Sequence, residues 1–186
     1  MGLDSFLTAS KRLSPKSKKE KQIIEYLNSL NLDCTNSLYL SSYDEEQKPI
    51  KDYLNSFKLY GQVGEICEII KHDDGYWAIN TEAMYWRKAN QIHSWFVENV
   101  QDGIDDCTIN EVSIDKLNLL YDTIKKIGKN KTMADQLLPT SSGFFFGNTE
   151  YNSRYFHELS RTKKLLKKIL KPSTINHWEF SYSSSW

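Results

Sequence analysis

Apolar positions recur along this chain with two different periods, and the changes of period mark its elements. The most regular block is YWRKANQIHSWFVENV at 85–100, where Ala89, Ile92, His93, Phe96, Val97 and Val100 fall in one stripe at helical spacing and predict a helix. Before it, GQVGEICEIIK and YWAINTEAMYW have strand spacing, and HDDG between them predicts a tight antiparallel hairpin. After it, QDGIDDC reads as a loop. Ser113 then caps a second helix whose Leu117, Leu120, Tyr121, Ile124 and Ile127 share a face, with Gly128 as its end. LLPTSSGFFFGNTEY predicts a short aromatic strand between Gly143 and Gly147, followed by a turn in which Asn148 or Thr149 caps a third helix. That helix carries Leu159, Leu166, Ile169 and Leu170 in one stripe; Lys167, Lys168 and Lys171 suit its C-terminal dipole, and Pro172 stops it. Trp178, Phe180, Tyr182, Ser184 and Trp186 alternate with polar neighbours, which predicts a C-terminal strand with one aromatic face.

The first third of the chain is less regular. GLDSFLTAS predicts a short strand, and LSPKSKKEKQIIEYLNSL a helix with Ser14 as cap, Pro15 as first residue, and Ile23, Tyr26, Leu27 and Leu30 on its apolar face. From 31 to about 60 no firm assignment follows: SLYLSSY is strand-like, DEEQKP reads as a solvated turn, and IKDYLNSF as a helical turn or two. Strands at both ends and in the middle, with three main helices between, predict an α+β fold: an antiparallel or mixed sheet with helices packed mostly on one face. Strict βα alternation is absent, and neither a G-x-G-x-x-G nor a G-x-x-x-x-G-K-[ST] fingerprint occurs.

At 186 residues and 21.7 kDa, the length fits one domain. Eight Phe, eleven Tyr and five Trp make an aromatic-rich core the expectation. Lys plus Arg and Asp plus Glu both number 24, so no global field recruits nucleic acid or an anionic membrane. The lysine runs KSKKEK and TKKLLKKILK read as solvated helix faces, which argues against nucleic acid as a partner. Cys34, Cys67 and Cys107 show neither disulfide nor metal-ligand spacing and fit a reducing cytoplasm; no run is long and apolar enough to span a membrane.

Candidate chemistry gathers around the central helix. On a helical projection Lys88, Trp95 and Asn99 lie along the flank of the apolar stripe. There they could pack a planar group, hydrogen-bond its edge and attract its negative charge; alternatively, Trp95 packs under a neighbouring loop. Arg87, at the junction of strand and helix, could meet a phosphate or carboxylate bidentately, or make a surface ion pair. His93 lies inside the stripe, where one hydrogen bond would hold it as a core residue; acid-base work with Asp105 or Asp106 is the other reading. Asp102, Asp105 and Asp106 could bind a divalent cation through oxygen, but they match no complete metal-ligand loop, and turn chemistry is the favoured reading. GFFFGNTEYNSRY places glycines before a helix N-terminus, where Asn148, Thr149 and Arg154 could add contacts to an anion and Glu150 would oppose one.

GLD at the N-terminus, YWRKANQIHSWFVENVQDGIDDC, LLPTSSGFFFGNTEY and the terminal SYSSSW resemble a family of small proteins encoded by tailed bacteriophages. The resemblance covers most of the chain from Glu82 onward, and 11–76 is a divergent or inserted segment within a single domain. It brings no catalytic mechanism, cofactor or metal. It implies a phage accessory protein in the host bacterial cytoplasm that antagonises bacterial defence.

Three functions compete on these grounds. The first is a sponge that sequesters a nucleotide-derived immune signal, with Trp86 or Trp95 packing the base, Arg87 and Lys88 meeting phosphate, Asn90, Asn99 or Asn148 reading polar edges, and Arg154 nearby. The second is a protein-binding inhibitor of a host defence component, using the same patch as a hot spot. The third is a hydrolase built on His93 with Asp105 or Asp106. A homo-oligomer is expected if the aromatic C-terminal strand forms an uncovered sheet edge.

Overall fold

The structure is a computed structural model, and it describes residues 2–32, 37–39, 45–57 and 67–186. The far end of SLYLSSY and the start of GQVGEICEIIK lie outside the described residues. In chain order the elements are β1 (Asp4–Arg12), α1 (Lys18–Ser29), β2 (Ser37–Tyr39), α2 (Lys48–Phe57), β3 (Cys67–Lys71), β4 (Trp77–Arg87) and α3 (Asn90–Val100). They continue with β5 (Asn110–Glu111), α4 (Ile114–Lys129), α5 (Ala134–Leu137), α6 (Ser153–Ile169), α7 (Pro172–Ile175) and β6 (Glu179–Ser185). The fold is α+β, and among the described residues a six-stranded antiparallel sheet has the order β2-β3-β4-β1-β6-β5. The C-terminal strand is not the uncovered edge on which a homo-oligomer is expected, because β6 lies between β1 and β5, and β5 pairs Asn110 with Tyr182 and Glu111 with Ser181. Among the described residues no helix is long and apolar enough to cross a membrane.

The chain divides into two compact units: Met1–Leu7 with Met84–Trp186, and Thr8–Ala83. In Thr8–Ala83, β3 and β4 form the expected hairpin, with Lys71 opposite Trp77 and Gly75 at φ +84° in the turn, a conformation in which a side chain is strained. Helix α1 buries Ile23 and Leu27, and its Asn28 accepts the Trp77 indole N–H at 2.9 Å. Its cap is Ser17, where Ser14 is expected from sequence. Residues 14–17 form a turn instead, because the buried Glu20 carboxylate reaches back to accept the Ser14 N–H at 2.7 Å. The other Glu20 oxygen takes the Tyr53 hydroxyl at 2.5 Å and the Lys11 ammonium at 3.4 Å, so a buried charge has its partners.

In the larger unit the core is aromatic. Phe96 of α3 stacks on Tyr182 of β6, centroids 4.1 Å apart and planes 7° from parallel, and both side chains are fully buried. Burial of each such ring stabilises the unit by roughly 1.5–3 kcal/mol. Trp86 ends the inward row of β4, tilts against Phe96 and donates its indole N–H to Thr162 Oγ1 of α6 at 2.8 Å. Helix α4, capped by Ser113 as expected, packs Leu117, Leu120, Ile124 and Ile127 inward, and α6 is its chief helical neighbour. Gly128 lies inside α4 rather than ending it; the helix runs on to Lys129. The cap of α6 is Asn152, not Asn148 or Thr149, since its side chain accepts from both the Arg154 and Tyr155 amides.

Candidate functional site

The junction from β4 to α3 determines where the polar residues around α3 go. Lys88 has φ +57°, so the chain turns sharply before the helix begins at Asn90, and the Lys88 N–H donates to Leu3 O at 2.7 Å. Arg87 points to solvent 3.6 Å from Asp4. Trp86 is in the core, with its indole N–H used and no ring face left for a ligand.

Asn90 was expected to read a ligand edge, and the structure gives it another task. Its Nδ2 donates to Phe146 O and Asn148 O, both at 3.0 Å, and its Oδ1 accepts the Ser141 N–H at 3.1 Å. A buried side chain thus clamps 141–148 onto the start of α3. Ser94 adds a 2.7 Å bond to Ser141 Oγ, and Leu3 N–H donates to Phe145 O at 3.1 Å. The segment between Gly143 and Gly147 is therefore a tight turn, with Phe146 N–H bonded to Gly143 O, and not the aromatic strand expected. Both glycines are required here. A Cβ on Gly143 would meet the Phe146 ring at 2.7 Å, and Gly147, at φ +89°, has Lys88 Cβ 3.0 Å from where its own would stand. At the tip of this turn Phe144 is 95% exposed.

His93 is 1% exposed and both ring nitrogens are engaged, Nδ1 with the Tyr182 hydroxyl at 2.8 Å and Nε2 with Asp105 Oδ2 at 2.9 Å. Asp105 also accepts the Trp186 indole N–H at 3.1 Å, and the Phe146 ring packs nearly perpendicular to the imidazole. Burial pushes the Tyr182 phenol well above its ordinary value, so it stays a neutral hydroxyl. Asp106 is not part of this set; it accepts from Thr108 N–H and Oγ1, which hold its carboxyl below the usual range. Cys107 is a free, exposed cysteine. Among the described residues no group of three or more His, Cys, Asp or Glu side chains is placed to hold a metal ion.

Two depressions flank α3. Lys88, Asn148 and Arg154, three of the expected site residues, line a crevice of about 20 Å³ with Glu150 and Glu158, room for a single water among balanced charges. Trp95 and Asn99 line a different one, a groove of about 140 Å³ walled by Leu137, Leu138 and Pro139. The far wall is fixed, because Leu138 O accepts the Tyr155 hydroxyl at 2.7 Å. Trp95 itself is 8% exposed and sits beneath this short segment. The expected stripe of Lys88, Trp95 and Asn99 is thus divided, since Lys88 stands before the helix in a left-handed conformation and does not follow its projection.

Gln91 and Glu98, absent from the expectations, also line the groove, and Gln91 reaches the crevice as well. The signal was available: Gln91 stands four residues before Trp95, and Glu98 three after it. No protein-family model, curated protein or solved structure matches the chain.

Proposed function

We infer that this is a non-enzymatic binding protein that engages a protein partner through the aromatic turn 143–146. The observation that carries this reading is Phe144, 95% exposed at the tip of a turn anchored by Asn90, Ser94 and Leu3. An apolar ring held in place before contact loses little entropy on binding, which is how aromatic hot spots reach their effect. Ile104, Ile109 and Trp186 are further exposed apolar side chains of the same unit. The resemblance to tailed-phage proteins supports a host protein, and among host proteins a defence component, as the partner; the fold bears only on the mode of binding.

Nucleotide capture has weaker support. Trp86 offers no face, Asn90 has spent its amide, and the crevice holding Lys88, Asn148 and Arg154 is far below the roughly 300 Å³ at which ligand pockets begin. Hydrolysis by His93 and Asp105 is disfavoured by access: the pair forms, but the second ring nitrogen faces a buried tyrosine.

The test is capture of host proteins from infected-cell lysate by the wild type and by Phe144→Ser. A partner retained stoichiometrically by the wild type and weakened at least about 30-fold by the variant, with an unchanged melting temperature, is the expected outcome. A nucleotide released intact on denaturation, with capture indifferent to Phe144, would overturn the reading in favour of the sponge.

A further inference from the structure

The groove beside α3 combines features that specify an occupant. Its wall and floor are apolar, formed by Trp95, Leu137, Leu138 and Pro139. Glu98 is the only charged residue lining it, and among the described residues it makes no ion pair. Asn99 uses its Nδ2 on Trp95 O at 2.8 Å, which leaves its Oδ1 as an acceptor. Gln91 is 4% exposed and lines the groove, and its side chain makes no hydrogen bond among the described residues. That amide is not sealed from solvent, so it is open to a partner entering the groove.

We propose that the groove is a receptor for one arginine side chain of a protein partner. The methylene stem lies along the apolar wall, and the guanidinium meets Glu98, Asn99 Oδ1 and Gln91 Oε1. Three acceptors around one site suit a planar group with five N–H donors better than a compact ammonium, and a tryptophan is the best aromatic neighbour for a cation. A volume of about 140 Å³ accommodates such a side chain but not a nucleotide. That the arginine comes from a protein rests on the function proposed above; the chemistry of the groove does not.

The probe is N-acetyl-arginine methylamide, titrated into the full chain and followed by two-dimensional NMR, with the capped lysine and norleucine analogues and agmatine as comparisons. The expected result is saturable shifts at Gln91, Glu98, Asn99 and the Trp95 indole, with capped arginine binding more tightly than every comparison. Glu98→Gln, an exposed isosteric change, should weaken binding about tenfold, the order expected for a lost charge-assisted hydrogen bond. Equal binding of capped lysine or norleucine, or no effect of Glu98→Gln, overturns the guanidinium site. Tighter binding of agmatine overturns the protein source and assigns the groove to a free guanidine. Because the readout is local to the groove, it stands or falls separately from capture through Phe144.

Discussion

Replacing Asn90 by alanine should free the aromatic turn while leaving the fold in place. The side chain makes three hydrogen bonds, donating to Phe146 O and Asn148 O at 3.0 Å and accepting from Ser141 N at 3.1 Å. At a net value near 1 kcal/mol each, their loss amounts to about 2–4 kcal/mol. The full penalty for stranded partners is not incurred, because Ser141 and Phe146 are half-buried and Asn148 is exposed, so water can replace the amide once the segment lifts. The cost is therefore local opening of 141–148. Hydrogen exchange at the Ser141 and Phe146 amides should accelerate about 30- to 700-fold, the equivalent of that free energy, while amides in the middle of α4 and α6 keep their protection. Asn90→Asp gives the sharper comparison. It retains an acceptor for Ser141 but sets carboxylate oxygens against two carbonyls, so it should be at least as harmful as alanine. Wild-type exchange in Asn90→Ala, or tolerance of Asn90→Asp, would refute the clamp.

Two further predictions probe the cores of the units separately. Thr162→Val keeps the side-chain shape but removes the acceptor of the Trp86 indole N–H, at a fully buried position; a loss of about 1–3 kcal/mol in urea unfolding is expected, and a neutral result would show that the bond contributes nothing. In the smaller unit, burial opposes ionisation of Glu20, but the Tyr53 hydroxyl, the Ser14 amide and the Lys11 ammonium outweigh it and hold its carboxyl below the usual value. Stability supplied by the ionised group is then complete above the unfolded carboxyl's value of about 4.3 and is lost as pH falls through the lower folded value. Glu20→Gln should be less stable than wild type at pH 7, with the gap closing below about pH 4; a pH-independent gap would sink this account.

What could be read from the sequence depended on whether neighbours along the chain carried the information. The stripe of Ile92, His93, Phe96 and Val97, the hairpin through Gly75 and the alternation of Phe180, Tyr182 and Ser184 are local patterns, and each is found where it is expected. The turn at 143–146 was not legible as a turn, because the residue that fixes it, Asn90, is more than fifty positions away. The cap of α1 moved from Ser14 to Ser17 for a similar reason, since Glu20 is itself held by Tyr53 from α2. The candidate site was read in part. Lys88, Asn148 and Arg154 do share a crevice, and Trp95 and Asn99 a groove, but projecting Lys88 as though it were helical joined two surfaces that its positive φ keeps apart.

Helix α3 buries three polar side chains in four positions, Asn90, Gln91 and His93, where leucines would have stabilised the core at less risk. Two of the three are satisfied by loops. Asn90 fastens the turn that presents Phe144, and His93 ties Asp105, and through it Trp186, to Tyr182. Their cost is offset by bonds that hold otherwise exposed chain in place, so polar burial here serves the order of the surface more than that of the interior. Gln91 breaks this pattern. Its side chain makes no hydrogen bond among the described residues, and it lines the groove with Trp95 and Glu98, the one charged residue there. If burial of polar groups in α3 is matched by something held, what Gln91 would hold is the group of a partner seated in the groove.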